Sequence, residues 1–328
     1  MNHKSKILVS GSLAYDKILD FHGRFGEHIM PDKIHKLSVS FMVEKEKVNF
    51  GGTAGNIAYN LKLLGEEPVI LSQAGQDFGA YKKWLEKNRI SQEGIKIIKN
   101  KNTAAAHIIT DRDDNQITAL HLETMGIARG ISPTLIKKFA PIEMAIVSPG
   151  NVNDMLGAAR TYKKMGIKYF ADPGQQIPAL TAGQLKELIY GAKGLFCNDY
   201  ELALIIKTLK YKNTRLPVAS PQANGGQVKT LKQMVEILVV TYGAEGSVIY
   251  CGEKEIKVRA VKPKRVVDPT GAGDAYRAGF IKGLMNDWDL RRCGELAAWV
   301  ARWPVEYYGT QEHFFQFPSP NFQFPNNF

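Results

Sequence analysis

The chemistry in this sequence is densest from Val266 to Phe280, Val-Val-Asp-Pro-Thr-Gly-Ala-Gly-Asp-Ala-Tyr-Arg-Ala-Gly-Phe. The β-branched pair Val266-Val267 predicts an extended approach, Pro269 a turn, and Ala275, Ala278, Phe280, Ile281 and Leu284 the apolar or small face of a helix. Gly271, Ala272 and Gly273 then line the start of that helix. Backbone N–H groups lack helical partners there, the dipole is positive, and the glycines have no Cβ to hold a ligand off. Such a place suits an anion, and a phosphoryl group in transfer would also use a nearby base. Asp274, in the first turn, can face it. Alone, Asp274 would read as an acid complementing the dipole; with Gly271 and Gly273 before it and Asp268 just upstream, the catalytic reading is preferred. Arg277, one turn on, is placed to pair with Asp274 at i, i+3 or to reach a phosphate. The segment is not a Walker loop, which would need Gly-Lys-Ser/Thr after four spacer residues.

Other segments carry weaker signals. In Asn198-Asp-Tyr-Glu201 an amide and a carboxylate three residues apart share a face at a strand end and helix start. Their oxygens suit a hydrated Mg²⁺ near phosphates, and the same spacing makes a capping box; the two readings are compatible. Phe50-Gly-Gly-Thr-Ala-Gly-Asn56 opens a helix whose apolar positions Ala54, Ile57, Ala58, Leu61 and Leu64 stop at Gly65. By themselves the glycine pair there, Asp16 in Gly11-Ser-Leu-Ala-Tyr-Asp16, and Thr241-Tyr-Gly243-Ala-Glu-Gly246 read as turn chemistry. No HExxH or Gly-x-Ser-x-Gly pattern competes. The acids of Asp111-Arg-Asp-Asp-Asn115 lack the EF-hand Gly and Glu and read as a solvated turn.

The elements that must position these residues alternate. Strand-like runs at Ile7–Ser10, Val69–Ser72, Met144–Ser148, Tyr169–Ala171, Leu195–Cys197, Ile237–Thr241 and Ser247–Tyr250 are separated mostly by amphipathic helical patterns. This predicts an α/β fold with a mainly parallel central sheet flanked by helices. Several runs end in polar residues or glycine (Ser10-Gly11, Ser148-Pro-Gly150, Asp172, Asn198, Thr241), where such sheets place their ligand crevice. Two stretches break the alternation: residues 17–50, with strand-like Ile34–Met42 and Lys47–Phe50, and a hairpin of Ala105–Thr110 and Gln116–Leu122. They read as a small inserted β layer. The chain thus divides into a core (1–16, 51–102 and 123–313), an inserted β layer (17–50 and 103–122) and a Phe/Pro/Asn-rich tail (314–328). That tail has six Phe and no charged residue, too apolar for an ordinary disordered segment.

Composition bounds the rest. The 328 residues, 44% hydrophobic and 23% charged, can bury a substantial core. No run of about 18 apolar residues predicts a transmembrane helix, and the N-terminus lacks a signal-peptide pattern. Cys197, Cys251 and Cys293 are widely spaced without CxxC, in keeping with a reduced, cytoplasmic protein. The net charge of +11 comes from scattered basic pairs mixed with acids; solvated helix faces account for it better than a nucleic-acid surface.

Asp268-Pro-Thr-Gly-Ala-Gly-Asp274 resembles the C-terminal motif of the ribokinase-like (PfkB) carbohydrate and nucleoside kinases. The resemblance implies that Asp274 is the base and that the Gly271, Ala272 and Gly273 amides form an anion hole. It gives Asp16 and Asn56 the grip on substrate hydroxyls, with Gly52 letting backbone approach the sugar ring. Asn198 and Glu201 would organise Mg²⁺ and phosphates, Glu201 through water. Thr241, Gly243 and Gly246 would border the ATP phosphates and ribose. Asp268, Thr270 and Gly309-Thr-Gln-Glu-His313 resemble elements that hold a monovalent cation such as K⁺ in many relatives. The inserted layer matches a lid that excludes water from phosphoryl transfer. By motif order the resemblance covers roughly residues 5–313, and Phe50–Gly65, Gly75–Gly79 and Tyr308–His313 look most like bacterial adenosine kinases.

The implied reaction is ATP-dependent phosphorylation of the adenosine 5′-hydroxyl, with Phe41 or Phe50 offered as a stacking surface for the base. A ribokinase- or fructokinase-type sugar kinase is the alternative, and a non-catalytic nucleoside-binding protein a third. Substrate and ATP are the expected partners, with no nucleic acid and no membrane, in a monomer or a lid-mediated homodimer. The helix end is expected to lower the Asp274 pKa. Trp299, Trp303 and Pro304 fall where relatives carry small residues, and a proline costs a helix about 3 kcal/mol, so the last helix should end or kink there.

Overall fold

The computed structural model describes residues 5–113, 115–209 and 225–317. Its strands, in chain order, are β1 (Lys6–Ser10), β2 (Ala14–Asp20), β3 (Lys45–Gly51), β4 (Glu67–Ala74), β5 (Ile95–Ile97), β6 (Ala104–Thr110), β7 (Gln116–His121), β8 (Ile142–Val147), β9 (Tyr169–Ala171), β10 (Gly194–Asn198), β11 (Ile237–Thr241), β12 (Ser247–Cys251) and β13 (Lys254–Val258). The helices are α1 (Phe25–His28), α2 (Thr53–Leu63), α3 (Gly79–Lys87), α4 (Pro133–Lys137), α5 (Val152–Met165), α6 (Ala182–Ile189), α7 (Asp199–Thr208), α8 (Gly225–Lys232), α9 (Ala272–Met285) and α10 (Leu290–Val305).

Nine strands form one sheet in the order β13-β12-β11-β10-β9-β8-β1-β4-β5. It is parallel from β11 to β5, and β12 and β13 join as an antiparallel edge. Both faces are covered, which is why the central strands read as continuous apolar runs. In β1, Ile7 and Val9 point into one core with Ile57, Phe280 and Leu296, whereas Leu8 points into the other with Met155, Leu188 and Ile205. Local chemistry sets the helix starts. Asn151 caps α5 through Asn153 N, Thr181 and Gln184 make a capping box on α6, and Asp289 accepts from Arg292 N at the head of α10.

A second sheet, β3-β2-β6-β7, stands at the carboxyl-end side of the first. Here the expectations needed correcting. Residues 34–42 do not form a strand: Pro31–Lys36 is a 3₁₀ turn, with Pro31 at its start, and the following residues stay irregular. The strand that follows this stretch, β3, pairs with β2. The strand beside it, β2, is one the sequence pattern did not show, and it runs across the expected boundary at residues 16 and 17. Asp111 is no solvated turn residue either. Only 4% exposed, its carboxylate accepts from the backbone N–H groups of Phe25, Asp113 and Asn115, tying α1 to the β6–β7 turn.

The α10 helix continues through Trp299 and Trp303 and carries Pro304 in its last turn, ending one residue later. Phe315 docks on it, with ring centroids 5.2 Å from Trp299 and 5.9 Å from Trp303. The start of the aromatic tail thus packs on the core; residues 318–328 lie outside the described residues. Among the described residues, no helix is long and apolar enough to cross a membrane.

Candidate active site

Two clefts meet at the first turn of α9. One is lined by Ser12, Asp16, Asn56, Gln175, Thr270 and Asp274 at one end. Ile108, Leu120, Leu122 and Met125 line it toward the small sheet. The other is lined by Thr241, Gly243 and Gly246 and by Val261, Pro263, Ala298, Ala301 and Arg302. Ala272 and Gly273 line the second cleft and Asp274 the first. The two are therefore separated by little more than one helical turn.

That turn begins at Gly271, whose φ of +83° is left-handed and whose Cβ, if present, would stand 2.9 Å from Thr310. Both facts call for glycine. Among the described residues, Gly271 N and Gly273 N meet no acceptor, but Ala272 N donates to Pro269 O at 3.2 Å. Ala272 thus departs from the expected anion hole, because its amide closes the preceding turn. Gly52, with φ +85°, opens α2 in a similar way, and a Cβ there would lie 2.6 Å from Ser12 O.

Asp274 is held by a chain of buried contacts. Asn56 Nδ2 donates to Asp274 Oδ2 at 2.8 Å. The Asn56 Oδ1 atom accepts from Gln311 Nε2 at 3.0 Å and lies 2.7 Å from Thr310 Oγ1. With its oxygen so engaged, the amide can present only its NH₂ to Asp274. Gln311 is fixed in turn: its Oε1 accepts from Trp84 Nε1 at 3.0 Å, and its Nε2 reaches Tyr81 Oη at 2.7 Å. Sequence reasoning placed Thr310 and Gln311 in a cation element and did not connect them with Asn56.

Burial decides the electrostatics. Removal from water pushes Asp274 up to about 6, against the lowering influence of Arg277 and of the Asn56 hydrogen bond. The direction is upward, opposite to the lowering expected from the helix end, because desolvation is the largest cause. Asp16, on β2 in the same cleft, is pushed to about 7 by burial and by the charges of Asp268 and Asp274. Arg277 does not pair with Asp274. Its Nη2 donates to Asp172 Oδ1 at 2.7 Å, and its Nε lies 2.6 Å from Asp172 Oδ2. Asp172 is 1% exposed and is itself raised to about 7, burial outweighing its arginine.

The remaining residues fall on either side. Asn198 and Glu201 form the capping box of α7: Asn198 Oδ1 accepts from Glu201 N at 2.7 Å, and Glu201 Oε2 from Asn198 N at 2.9 Å. Glu201 Oε1 is not used in that box. Among the described residues no group of three or more His, Cys, Asp or Glu could hold a metal ion. Glu201 Oε1 is the oxygen left over for the hydrated Mg²⁺ expected there. Asp268 Oδ1 accepts from Thr270 N at 2.9 Å, an Asx turn. Phe41 packs on Phe21 and Phe25, and Phe50 on Tyr81 and Trp84. Neither ring is among the residues that line the first cleft; the expected stacking rings are engaged in packing instead.

A model of the pfkB family of carbohydrate kinases matches residues 24–315. The chain is 31% identical to a nucleoside kinase of Methanothermobacter thermautotrophicus, over 95% of this chain and 93% of that one. It is 29% identical to a nucleoside kinase of Methanocaldococcus jannaschii, over 85% and 87%. The structure of a Burkholderia thailandensis nucleoside kinase in complex with inosine superposes with a TM-score of 0.79 at 28% identity, covering 95% of each chain. With a match of that length and a ribokinase-like sheet under the site, the chain belongs to the pfkB family of carbohydrate kinases, phosphotransferases that use an alcohol group as acceptor.

Proposed function

We propose that this kinase transfers the γ-phosphoryl group of ATP to the 5′-hydroxyl of a nucleoside, with adenosine the first candidate. The observation that carries the reading is the position of Asp274: hydrogen-bonded to Asn56 in one cleft, one residue from a free amide that faces the other. The acceptor cleft supports a nucleoside over a bare sugar. Its acidic end suits vicinal hydroxyls, and its Ile108, Leu120, Leu122 and Met125 end offers apolar surface that a base would cover and a pentose would not reach. The relatives named above are nucleoside kinases, one of them solved with inosine.

In the proposed reaction the 5′-oxygen attacks the γ-phosphorus, the bond to the β-phosphate oxygen breaks, and ADP leaves with that electron pair. The hydroxyl proton passes to Asp274 Oδ. Because the transition state is largely dissociative, a carboxylate near pKa 6 is basic enough. Gly271 N and Gly273 N donate to the transferring oxygens, with no reorganisation at the moment of reaction. Asp16 and Asn56 orient the sugar. Glu201, with Asn198, would hold hydrated Mg²⁺ bound to the phosphates, which neutralises their charge. The small sheet acts as the lid, closing its apolar face over the base and excluding water that would otherwise hydrolyse ATP. A coupled assay of ATP consumption against adenosine, inosine, cytidine, ribose and fructose tests this. Turnover of adenosine at a kcat/KM at least tenfold above that of ribose or fructose is expected; preference for either sugar overturns the nucleoside reading.

A further inference from the structure

We infer that Arg277 is a further catalytic residue, donating from its Nη1 to the phosphoryl group in transfer. The inference rests on the kinase reading above.

The geometry comes from where a helical arginine must point. Side chains on a helix lean toward its N-terminus, so the Arg277 guanidinium returns over the first turn of α9. Its Nη1 lies 2.7 Å from the place a Cβ on residue 273 would occupy. The guanidinium thus rests on the glycine whose free amide faces the nucleotide-side cleft. Alanine at 273 would displace it, which gives Gly273 a second reason to be glycine.

The fork is only half used. Nη2 and Nε face Asp172, and no residue among those described accepts a hydrogen bond from Nη1. Asp172 stands at the carboxyl end of β9 and is fully buried, so it acts as a rigid clamp on one edge of the guanidinium. The ring of Phe196 lies 5.8 Å from Arg277 Cζ and supports its flat side. Held on one edge and one face, the group keeps its remaining donor toward the helix start. Arg277 also feels the charges of Asp274 and Glu201, so the proposed base and the residue expected to organise Mg²⁺ both lie within its electrostatic reach. A phosphoryl group passing from the Gly273 side to the Asp274 side would cross in front of that donor. A planar, always-charged fork suits oxygens whose negative charge must be matched there.

The opposing account makes Arg277 a counter-ion for Asp172 and nothing more, and a double variant separates the two. Arg277→Gln alone leaves the Asp172 carboxylate buried without its cation, so it can lose activity through folding. Asp172→Asn with Arg277→Gln replaces the ion pair by a neutral amide pair of similar shape. The double variant is expected to recover the melting temperature lost in the single one. Its kcat should stay at least about 100-fold below wild type, the scale of one lost transition-state donor, with the nucleoside KM within about threefold. Binding of the transition-state mimic ADP–aluminium fluoride should weaken in parallel while ADP binding does not. If kcat returns to within threefold of wild type in the double variant, the inference is overturned and the pair is structural. If wild-type protein transfers phosphate to no nucleoside or sugar, the kinase reading fails first and takes this inference with it.

Discussion

The two clefts are built from different materials. The proposed acceptor side is lined by polar side chains, Asp16, Asn56 and Asp274, and Asn56 and Asp274 are held there by a network through Thr310, Gln311, Tyr81 and Trp84. On the proposed nucleotide side most of the walls are small or apolar residues, Gly243, Gly246, Val261, Ala298 and Ala301 among them, with Thr241 and Arg302 as polar exceptions. A site made of backbone can be recognised from a short motif, because glycines at fixed spacing are what it needs. A site made of a network cannot, because its members touch only once the chain has folded. The difference also predicts how each side fails. Damage to the network should misplace the acceptor and leave nucleotide binding alone, and crowding the small-residue side should do the reverse.

The largest effect tests the point where the two sides meet. Asp274→Asn keeps an oxygen for the Asn56 hydrogen bond and removes the base. It should lower kcat by about 10³-fold, within the range for a lost general base, while calorimetry shows nucleoside affinity changed by less than about threefold. Retained turnover would refute the assignment. Next comes Gln311→Ala, which leaves Asn56 Oδ1 short of a donor and frees the amide to turn over. kcat/KM for the nucleoside should fall about 10- to 100-fold, the loss of roughly 1.4 to 2.8 kcal/mol of positioning, with the ATP KM unchanged. An equal rise in both KM values would mean that the network supports the fold and not the acceptor.

Much of the molecule was legible in the order of residues, and the exceptions have physical causes. Central strands such as β8 and β11 announced themselves because both faces are covered along Met144–Val147 and Ile237–Val240, and no polar residue interrupts those runs. By contrast β2, Ala-Tyr-Asp-Lys-Ile-Leu-Asp, mixes charges with apolar residues, since the small sheet is only partly covered. The stretch 34–42 misled in the opposite way: Ile34, Leu37 and Met42 look like strand residues yet are 64%, 53% and 89% exposed. The Asn198–Glu201 spacing correctly showed a capping box, because that motif is local. The link between Asn56 and Gln311 spans 255 residues, and no local pattern could reveal it. Asp172 stood out as a polar strand end, but nothing in its neighbourhood pointed to Arg277.

A smaller effect tests the nucleotide side. Ala301→Leu places three more carbons against the wall of the cleft that Gly243 and Gly246 also line. The ATP KM should rise about tenfold, near 1.4 kcal/mol, and the nucleoside affinity measured without ATP should not move. If nucleoside affinity also falls, the two clefts are not independent and the contrast drawn above is too sharp.

The smallest effect concerns protons. A carboxylate whose folded pKa is raised binds its proton more tightly folded than unfolded. As pH climbs past the unfolded value, the unfolded chain gives up that proton first, and stability is lost until the folded group also ionises. For Asp274 the window runs from the ordinary 3.8 to about 6, and for Asp16 from 3.8 to about 7. Activity has the opposite sign if Asp274 is the base, as proposed: kcat/KM should begin to fall below about pH 7 as Asp16 takes up a proton and steepen below about 6 as Asp274 does. The protein therefore gains activity over the same range in which it loses stability. Asp274→Asn, inactive, should melt about 2–4 °C higher than wild type at pH 8, for a relief of about 1–2 kcal/mol after allowance for its partial exposure. At pH 4 the two should melt together. A variant that is no more stable at pH 8 would mean that water already solvates the carboxylate.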